Sequence, residues 1–205
     1  MNGASMKPLD WDAMYREGTP PWEMGVTEPE LVRAVESGEI ARGTALEIGC
    51  GTGADAIYLV QRGFEVTAID SSATAIERAR VRAEHEDALP RFVLADIFEF
   101  APTAGQFDFV YDKGFYHFVR HFDLNKYLDM LWRVTRPGSC YMTLAGAPAE
   151  PSENGPPQVT ERQIYNELGR LFEVVRLDSC RLGCSFSLEG FPAWCCLMRR
   201  PVIGK

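Results

Sequence analysis

Thr44-Ala-Leu-Glu-Ile-Gly49-Cys50-Gly51-Thr52-Gly53 is the stretch that decides the fold. A short apolar run of strand length leads into three glycines, and a helical pattern over Ala54 to Arg62, closed by Gly63, follows. Between strand and helix the backbone must turn tightly and approach a ligand without Cβ atoms in the way, which places a nucleotide-like ligand at the helix N-terminus. Outward from this unit, strand-length apolar runs alternate with helical patterns. The strands read as Thr44 to Ile48, Glu65 to Ile69, Arg91 to Ala95, Phe107 to Tyr111, Ser139 to Ala145, Glu173 to Leu177 and Ala193 to Arg199. Helices fall over Ser72 to Glu86, Asp123 to Arg133 (closed by Pro137 and Gly138) and Thr160 to Leu171, with capping boxes at Thr160/Gln163 and at Thr27/Glu30 of an earlier helix that Gly38 ends. Such alternation builds a parallel sheet through helical crossovers. Ser179 to Pro192 joins the last two strands without a helical pattern, and a helix-free connection makes an antiparallel pair. The expectation is an α/β, Rossmann-like seven-stranded sheet, mostly parallel with an antiparallel C-terminal strand and helices on both faces. The Pro/Gly-rich segment Ala147 to Pro157 reads as a loop.

The chain has 205 residues, 46% of them hydrophobic and 24% charged, which suits a single domain. At that length folding buries roughly 70% of the unfolded surface. A net charge of −8 without a Lys/Arg block argues against nucleic-acid or anionic-membrane partners, and Arg78, Arg80 and Arg82 read as a solvated helix face. The first twenty residues hold Asp10, Asp12 and Glu17 and no apolar stretch, so a secretory signal is not expected. No window approaches the ~18 to 20 apolar residues of a membrane span, and a cytoplasmic location is the expectation. The six cysteines are then expected as thiols. Cys180 and Cys184 lack a second pair or a neighbouring histidine, so no metal site is expected.

Gly49, Gly51 and Ala54 also satisfy a dinucleotide fingerprint, and Asp70, 21 residues past Gly49 at the end of the second strand, suits a ribose in either case. Three features separate the readings. Glu47 stands where dinucleotide folds keep an apolar residue, Asp96-Ile97 ends the third strand where an adenine can be read and covered, and the C-terminal strand is antiparallel. Together they resemble class I S-adenosylmethionine (SAM)-dependent methyltransferases, with the E-x-G-x-G-x-G motif at Glu47 to Gly53 and a similar strand order over roughly residues 44 to 200.

The acceptor is narrowed by what is missing. Amino-nitrogen enzymes carry [DNS]-P-P-[YFW] after the fourth strand, where this chain has Asp112-Lys113-Gly114-Phe115, and no Pro-Cys pair is present for cytosine-C5 chemistry. The segment Trp11-Asp-Ala-Met-Tyr15 through Trp22-Glu-Met-Gly25 resembles the W-x10-W-[DE]-x-G cap of the thiol and halide methyltransferases, and less closely the thiopurine and tellurite enzymes. Tyr111 to Phe118 is similar to the D-[RK]-G-x-[FY]-H segment of that group, and Gly155 to Thr160 and Phe191 to Trp194 resemble it as well. The resemblance implies a cap over residues 1–40, a catalytic core over 41–205 and SAM as cofactor. It implies Trp11, Tyr15, Trp22, Glu47, Gly49, Cys50, Gly51, Gly53, Asp70, Ser71, Asp96, Ile97 and Asp112 as cofactor contacts.

Methyl transfer from a sulfonium is an in-line displacement, and a thiol with a pKa of ~8.5 needs little help to supply thiolate. His117, Tyr116 and Asp112, at the edge of the fourth strand where sheet ligands bind, are the expected catalytic residues. His121, four residues on, would share a helix face with His117, and Phe115, Phe118, Phe122, Phe186 and Phe191 could line an apolar pocket or simply fill core. The function expected is S-methylation of a small apolar or heteroaromatic thiol, in detoxification or self-protection, with small-molecule O- or N-methylation as the alternative. The partner is a small-molecule acceptor, with no obligate protein partner evident.

Overall fold

The computed structural model describes residues 9–150 and 155–202. Residues 1–8 of the expected cap, 151–154 of the expected loop and the last three residues lie outside that description. In chain order the elements are α1 (Trp11–Glu17), α2 (Pro29–Glu36), β1 (Thr44–Ile48), α3 (Ala54–Gln61), β2 (Glu65–Asp70), α4 (Ala73–His85), β3 (Arg91–Leu94), β4 (Phe107–Lys113), α5 (Phe115–Val134), β5 (Thr135–Gly146), α6 (Glu161–Glu167), β6 (Glu173–Cys184) and β7 (Ser187–Arg199). The seven strands form one sheet in the order β3-β2-β1-β4-β5-β7-β6, and β7 alone runs antiparallel to its neighbours.

Alternate residues of each central strand feed opposite cores. Leu46, Ile48 and Val110 join the α5 and α6 side with Tyr127, Leu131 and Ile164. Ala45, Phe109 and Tyr111 join the α2 and α3 side with Leu31, Ala34 and Leu59. Side chains alternating across a sheet with both faces covered explain why these strands read as near-continuous apolar runs.

Several boundaries differ from the sequence reading, each for a local reason. The N-cap of α2 is Glu28, whose side chain accepts from Glu30 N at 3.4 Å, not Thr27. Helix α5 starts at Phe115, eight residues early, and is interrupted at Asp123 (φ −154°, ψ 77°), which caps the second segment by accepting from Lys126 N at 3.0 Å. Pro137 and Gly138 sit inside β5: Thr135 pairs with Phe107 and Cys140 with Phe109, so a bulge absorbs them. Strands β6 and β7 run through most of the expected Ser179 to Pro192 connection. β6 is an edge strand with polar exposed positions, which removed the apolar signal from its second half.

The order 3-2-1-4-5 puts β1 beside β4 with their crossovers leaving in opposite directions. That opens a crevice beyond the C-terminal ends of these two strands. Gly49 follows β1 there, and Gly114 follows β4.

Candidate functional site

The glycine loop has a left-handed backbone at Gly49, Gly51 and Gly53 (φ 68°, 51° and 79°). At Gly53 a Cβ would stand 2.8 Å from Phe92 Cζ and 3.0 Å from Ala79 Cβ, so α3 could not pack as closely on the sheet. At Gly51 it would meet the Tyr15 hydroxyl at 2.7 Å and Glu23 Oε2 at 2.8 Å. The loop is tied on both sides. Cys50 N donates to Ile69 O, and Gly51 N donates to Asp70 Oδ2 at 2.9 Å, while Asp70 Oδ1 accepts from Ser72 N at 2.8 Å. Burial pushes the Asp70 carboxyl up against the pull of these amides.

A small cleft opens over this loop, lined by Tyr15, Trp22, Glu23, Glu47, Gly49, Cys50, Gly51, Ala54, Asp55 and Lys113. Its floor is acidic. Glu47 is 4% exposed, and its Oε2 has no hydrogen-bond partner among the described residues. Burial first, and then Asp55, hold its carboxyl well above the usual range. Asp55 accepts from Glu28 N at 2.7 Å and from the Tyr111 hydroxyl at 3.0 Å, and lies 3.6 Å from Lys113 Nζ. A buried carboxylate oxygen without a donor is costly. An excess of carboxylates over one lysine gives the cleft a field that suits a cationic ligand, and the glycine loop beside it suits the nucleoside part. The cofactor expected from the sequence fits both features.

Helix α1 and the turn after it lie over the loop. Thr52 N donates to Glu23 Oε2 at 3.0 Å, and the Trp22 indole points its N–H at the Tyr15 hydroxyl at 3.4 Å. Helix α4 holds α1 and the turn after it. Asp12 accepts from Ser72 Oγ at 2.8 Å and Thr74 N at 2.9 Å, and Arg78 donates to Tyr15 O and Gly18 O. Arg82 donates to Gly25 O at 2.6 Å. Arg78 and Arg82 therefore depart from the solvated face read from sequence, because α1 and its following turn lie against them and leave carbonyls to be satisfied. The hairpin end of β6–β7 also touches the cap, with Ser185 N donating to Pro21 O at 2.8 Å.

An aromatic wall joins cap and α5. Trp11 meets Trp22 edge-on at 5.5 Å and Phe118 at 4.7 Å, and Phe118 meets Phe122 at 4.8 Å. Phe115 begins this row beside Gly49. Phe186 and Phe191 instead pair with each other on the hairpin at 5.9 Å. Gly155, Pro156, Phe191 and Pro192, from the two C-terminal segments singled out in the sequence, line one second cleft, and Trp194 Nε1 donates to Val159 O at 2.9 Å. Asp96 is exposed and accepts from Phe98 N at 2.8 Å; Ile97 is buried, and Ser71 is exposed at the end of β2. Cys50 is buried, and burial raises its thiol.

The three residues expected to offer a base are all engaged inside the protein. Asp112 is fully buried and takes five donors: Phe115 N, Tyr116 N, Thr143 Oγ1 and the hydroxyls of Tyr127 and Tyr141. Tyr116 donates to Glu167 Oε2 at 2.7 Å, a carboxylate also gripped by Arg120. His117 Nδ1 accepts from Gly146 N at 3.0 Å, which leaves the proton on Nε2. Burial lowers the His117 pKa to about 3, with His121, which is exposed, adding to the shift. These contacts fasten α5 to β5 and α6; of the side chains that do line the cleft, Glu23, Asp55 and Lys113 were not singled out. A Glu after Trp22 and a Lys in the D-[RK]-G segment were the signals available.

The buried neutral imidazole has a pH consequence. An unfolded histidine titrates near ~6.5, so below that pH the unfolded chain binds a proton that the folded chain refuses until about pH 3. Stability from this residue is complete above ~6.5 and falls by about 1.4 kcal/mol per pH unit as pH drops through that window. Urea unfolding between pH 7 and 4 is expected to show a shallower decline in His117→Asn than in the wild type. Parallel declines would mean that the ring is not held neutral.

A family model described as a methyltransferase domain matches residues 45–138. The 2-heptyl-1-hydroxyquinolin-4(1H)-one methyltransferase of Mycobacteroides abscessus is 30% identical over 80% of this chain and 73% of its own length. A probable thiol methyltransferase of Arabidopsis thaliana is 29% identical over 77% of this chain and 70% of its own. Among solved structures, one described as "Conversion of a Disulfide Bond into a Thioacetal Group during Echinomycin Biosynthesis" superposes with a TM-score of 0.80 at 26% identity, covering 94% of this chain and 92% of that one.

Proposed function

We propose that this chain, which belongs to the SAM-dependent methyltransferase family and acts on small molecules, methylates the thiol of an apolar or heteroaromatic acceptor. The observation that carries this reading is the engagement of Asp112, Tyr116 and His117, which leaves none of the three residues expected to act as a base free to do so. An acceptor must then ionise largely by itself, as a thiol with a pKa of ~8.5 does and an alcohol does not. The similarity to a probable thiol methyltransferase supports the same choice.

When bound, SAM supplies an electrophilic methyl carbon on a sulfonium. In this reading Glu47 offers its unpartnered oxygen to the cofactor's ammonium, Asp70 to the ribose, and the glycine loop admits the nucleoside. Asp96 and Ile97, at the end of β3, take the adenine. Trp11, Trp22, Phe118 and Phe122 hold a planar acceptor and exclude water, so that nucleophile and methyl carbon line up. The cap of residues 1–40 is then the lid of a core spanning 41–205, with Arg78 and Arg82 as its latches. His117 keeps α5 and β5 in register and moves no proton.

The test is turnover of benzyl mercaptan against benzyl alcohol across pH 6 to 9, with wild type and His117→Asn. The thiol rate is expected to climb with pH toward the thiol's own pKa, the alcohol to react at least about 100-fold more slowly, and His117→Asn to lower the thiol rate by one factor at every pH. A loss confined to low pH would restore His117 as a base. The second reading, O- or N-methylation, is favoured by the relative named for a hydroxyquinolinone. Faster turnover of 2-heptyl-1-hydroxyquinolin-4(1H)-one than of any thiol would replace S-methylation by it.

A further inference from the structure

Lys113 closes β4 at the edge of the crevice, in the cleft wall, with its side chain 26% exposed. Its one ion-pair partner among the described residues is Asp55 at 3.6 Å, beyond hydrogen-bond distance, and Asp55 is already satisfied by Glu28 N and the Tyr111 hydroxyl. An ammonium carries three donors, so Lys113 keeps donors to spare. Burial alone would lower its pKa, but Asp55, Glu28 and Glu47 reverse that, and the side chain stays charged.

Glu47 has the opposite surplus, an acceptor without a donor. The two stand on adjacent parallel strands. Glu47 is in register with Tyr111, and Lys113 lies two residues further along β4 on the same face. By strand spacing their Cα atoms are roughly 8 Å apart, and both long side chains reach into one cleft. A buried acid lacking a donor next to a lysine with free donors is the complement of an α-amino acid, which presents an ammonium and a carboxylate on one carbon.

We propose that Lys113 receives the carboxylate of the methionyl tail of SAM, with Glu47 taking the ammonium, so that the pair reads the tail as a zwitterion and Asp55 is the positioning residue that holds Lys113 in place. This rests on the cofactor placement given above. It makes the tail, and not the nucleoside alone, a determinant of affinity. Ligands that keep adenosine but lose the carboxylate are discriminated against at Lys113.

The experiment is calorimetric binding of three ligands: S-adenosylhomocysteine, its decarboxylated analogue that keeps the amine, and 5′-methylthioadenosine, which has neither group. Wild type is expected to prefer S-adenosylhomocysteine over the decarboxylated analogue by about 10- to 100-fold, the worth of a charge-assisted contact. Lys113→Met should erase that preference by weakening S-adenosylhomocysteine alone, and Lys113→Arg should restore most of it. Equal loss for both ligands in Lys113→Met would make the lysine structural and overturn the proposal. If Lys113→Met does not fold, the wild-type ratio decides unaided, because a ratio near one means that nothing reads the carboxylate. Wild type that binds none of the three would overturn the cofactor placement together with this inference. Binding with a ratio near one would overturn the inference and leave the placement standing.

Discussion

Asp112→Ala is expected to lower the unfolding free energy by about 4 kcal/mol, because it removes the shared acceptor of five donors, four of them buried. The carboxylate holds the first turn of α5 through Phe115 N and Tyr116 N, and it holds β5 through Tyr141 and Thr143. The Tyr127 and Tyr141 hydroxyls also stand 3.0 Å from each other, so removing their shared acceptor leaves two phenols with one bond between them. Against a total stability of about 5 to 15 kcal/mol the loss is large, and for a chain of this length it is a fall of about 8 to 16 °C in Tm. Asp112→Asn keeps the volume and one acceptor oxygen and should cost roughly half as much. Urea unfolding of both variants checks this. A cost below about 1 kcal/mol for the alanine variant would show that the network is not held by the carboxylate.

Asp70→Ala is expected to weaken S-adenosylhomocysteine binding by at least about 100-fold, measured by calorimetry. Each Asp70 oxygen takes one backbone amide, from Gly51 and from Ser72, and a carboxylate has about four lone-pair sites. Two remain for ribose hydroxyls. The substitution therefore removes acceptors for the ligand and also frees the loop at Gly51, whose left-handed backbone is held from β2 by this contact. Asp70→Asn, which still accepts from Gly51 N, should lose less. An unchanged Kd in Asp70→Ala would move the ribose elsewhere.

The difference between these two aspartates marks what could be read from the chain alone. The pattern Thr44 to Gly53 determined β1, the glycine turn and α3, because period, strand length and glycine conformation are local properties. Asp70 was legible for the same reason: the end of a parallel strand next to the loop is fixed by counting. Thr160 and Gln163 form the capping box that their spacing announced, and the antiparallel last pair followed from a helix-free connection. The length of β6 and the early start of α5 were not legible, since an edge strand and a helix interrupted at Asp123 both lose their apolar period.

Tertiary structure alone decided which polar side chains remain free. Asp112, Tyr116 and His117 look available in sequence, yet their partners lie 31, 51 and 29 residues away at Thr143, Glu167 and Gly146. Arg78 reads as solvated until α1, some 60 residues earlier, is laid against it. Asp55 and Lys113 acquire meaning only when α3 and β4 bring them into one cleft with Glu47 of β1. Hydrophobic periodicity is written along the chain and survives without neighbours. Whether a buried carboxylate, imidazole or ammonium has spare valence depends on every group within hydrogen-bond reach, and only the folded packing of distant segments sets that.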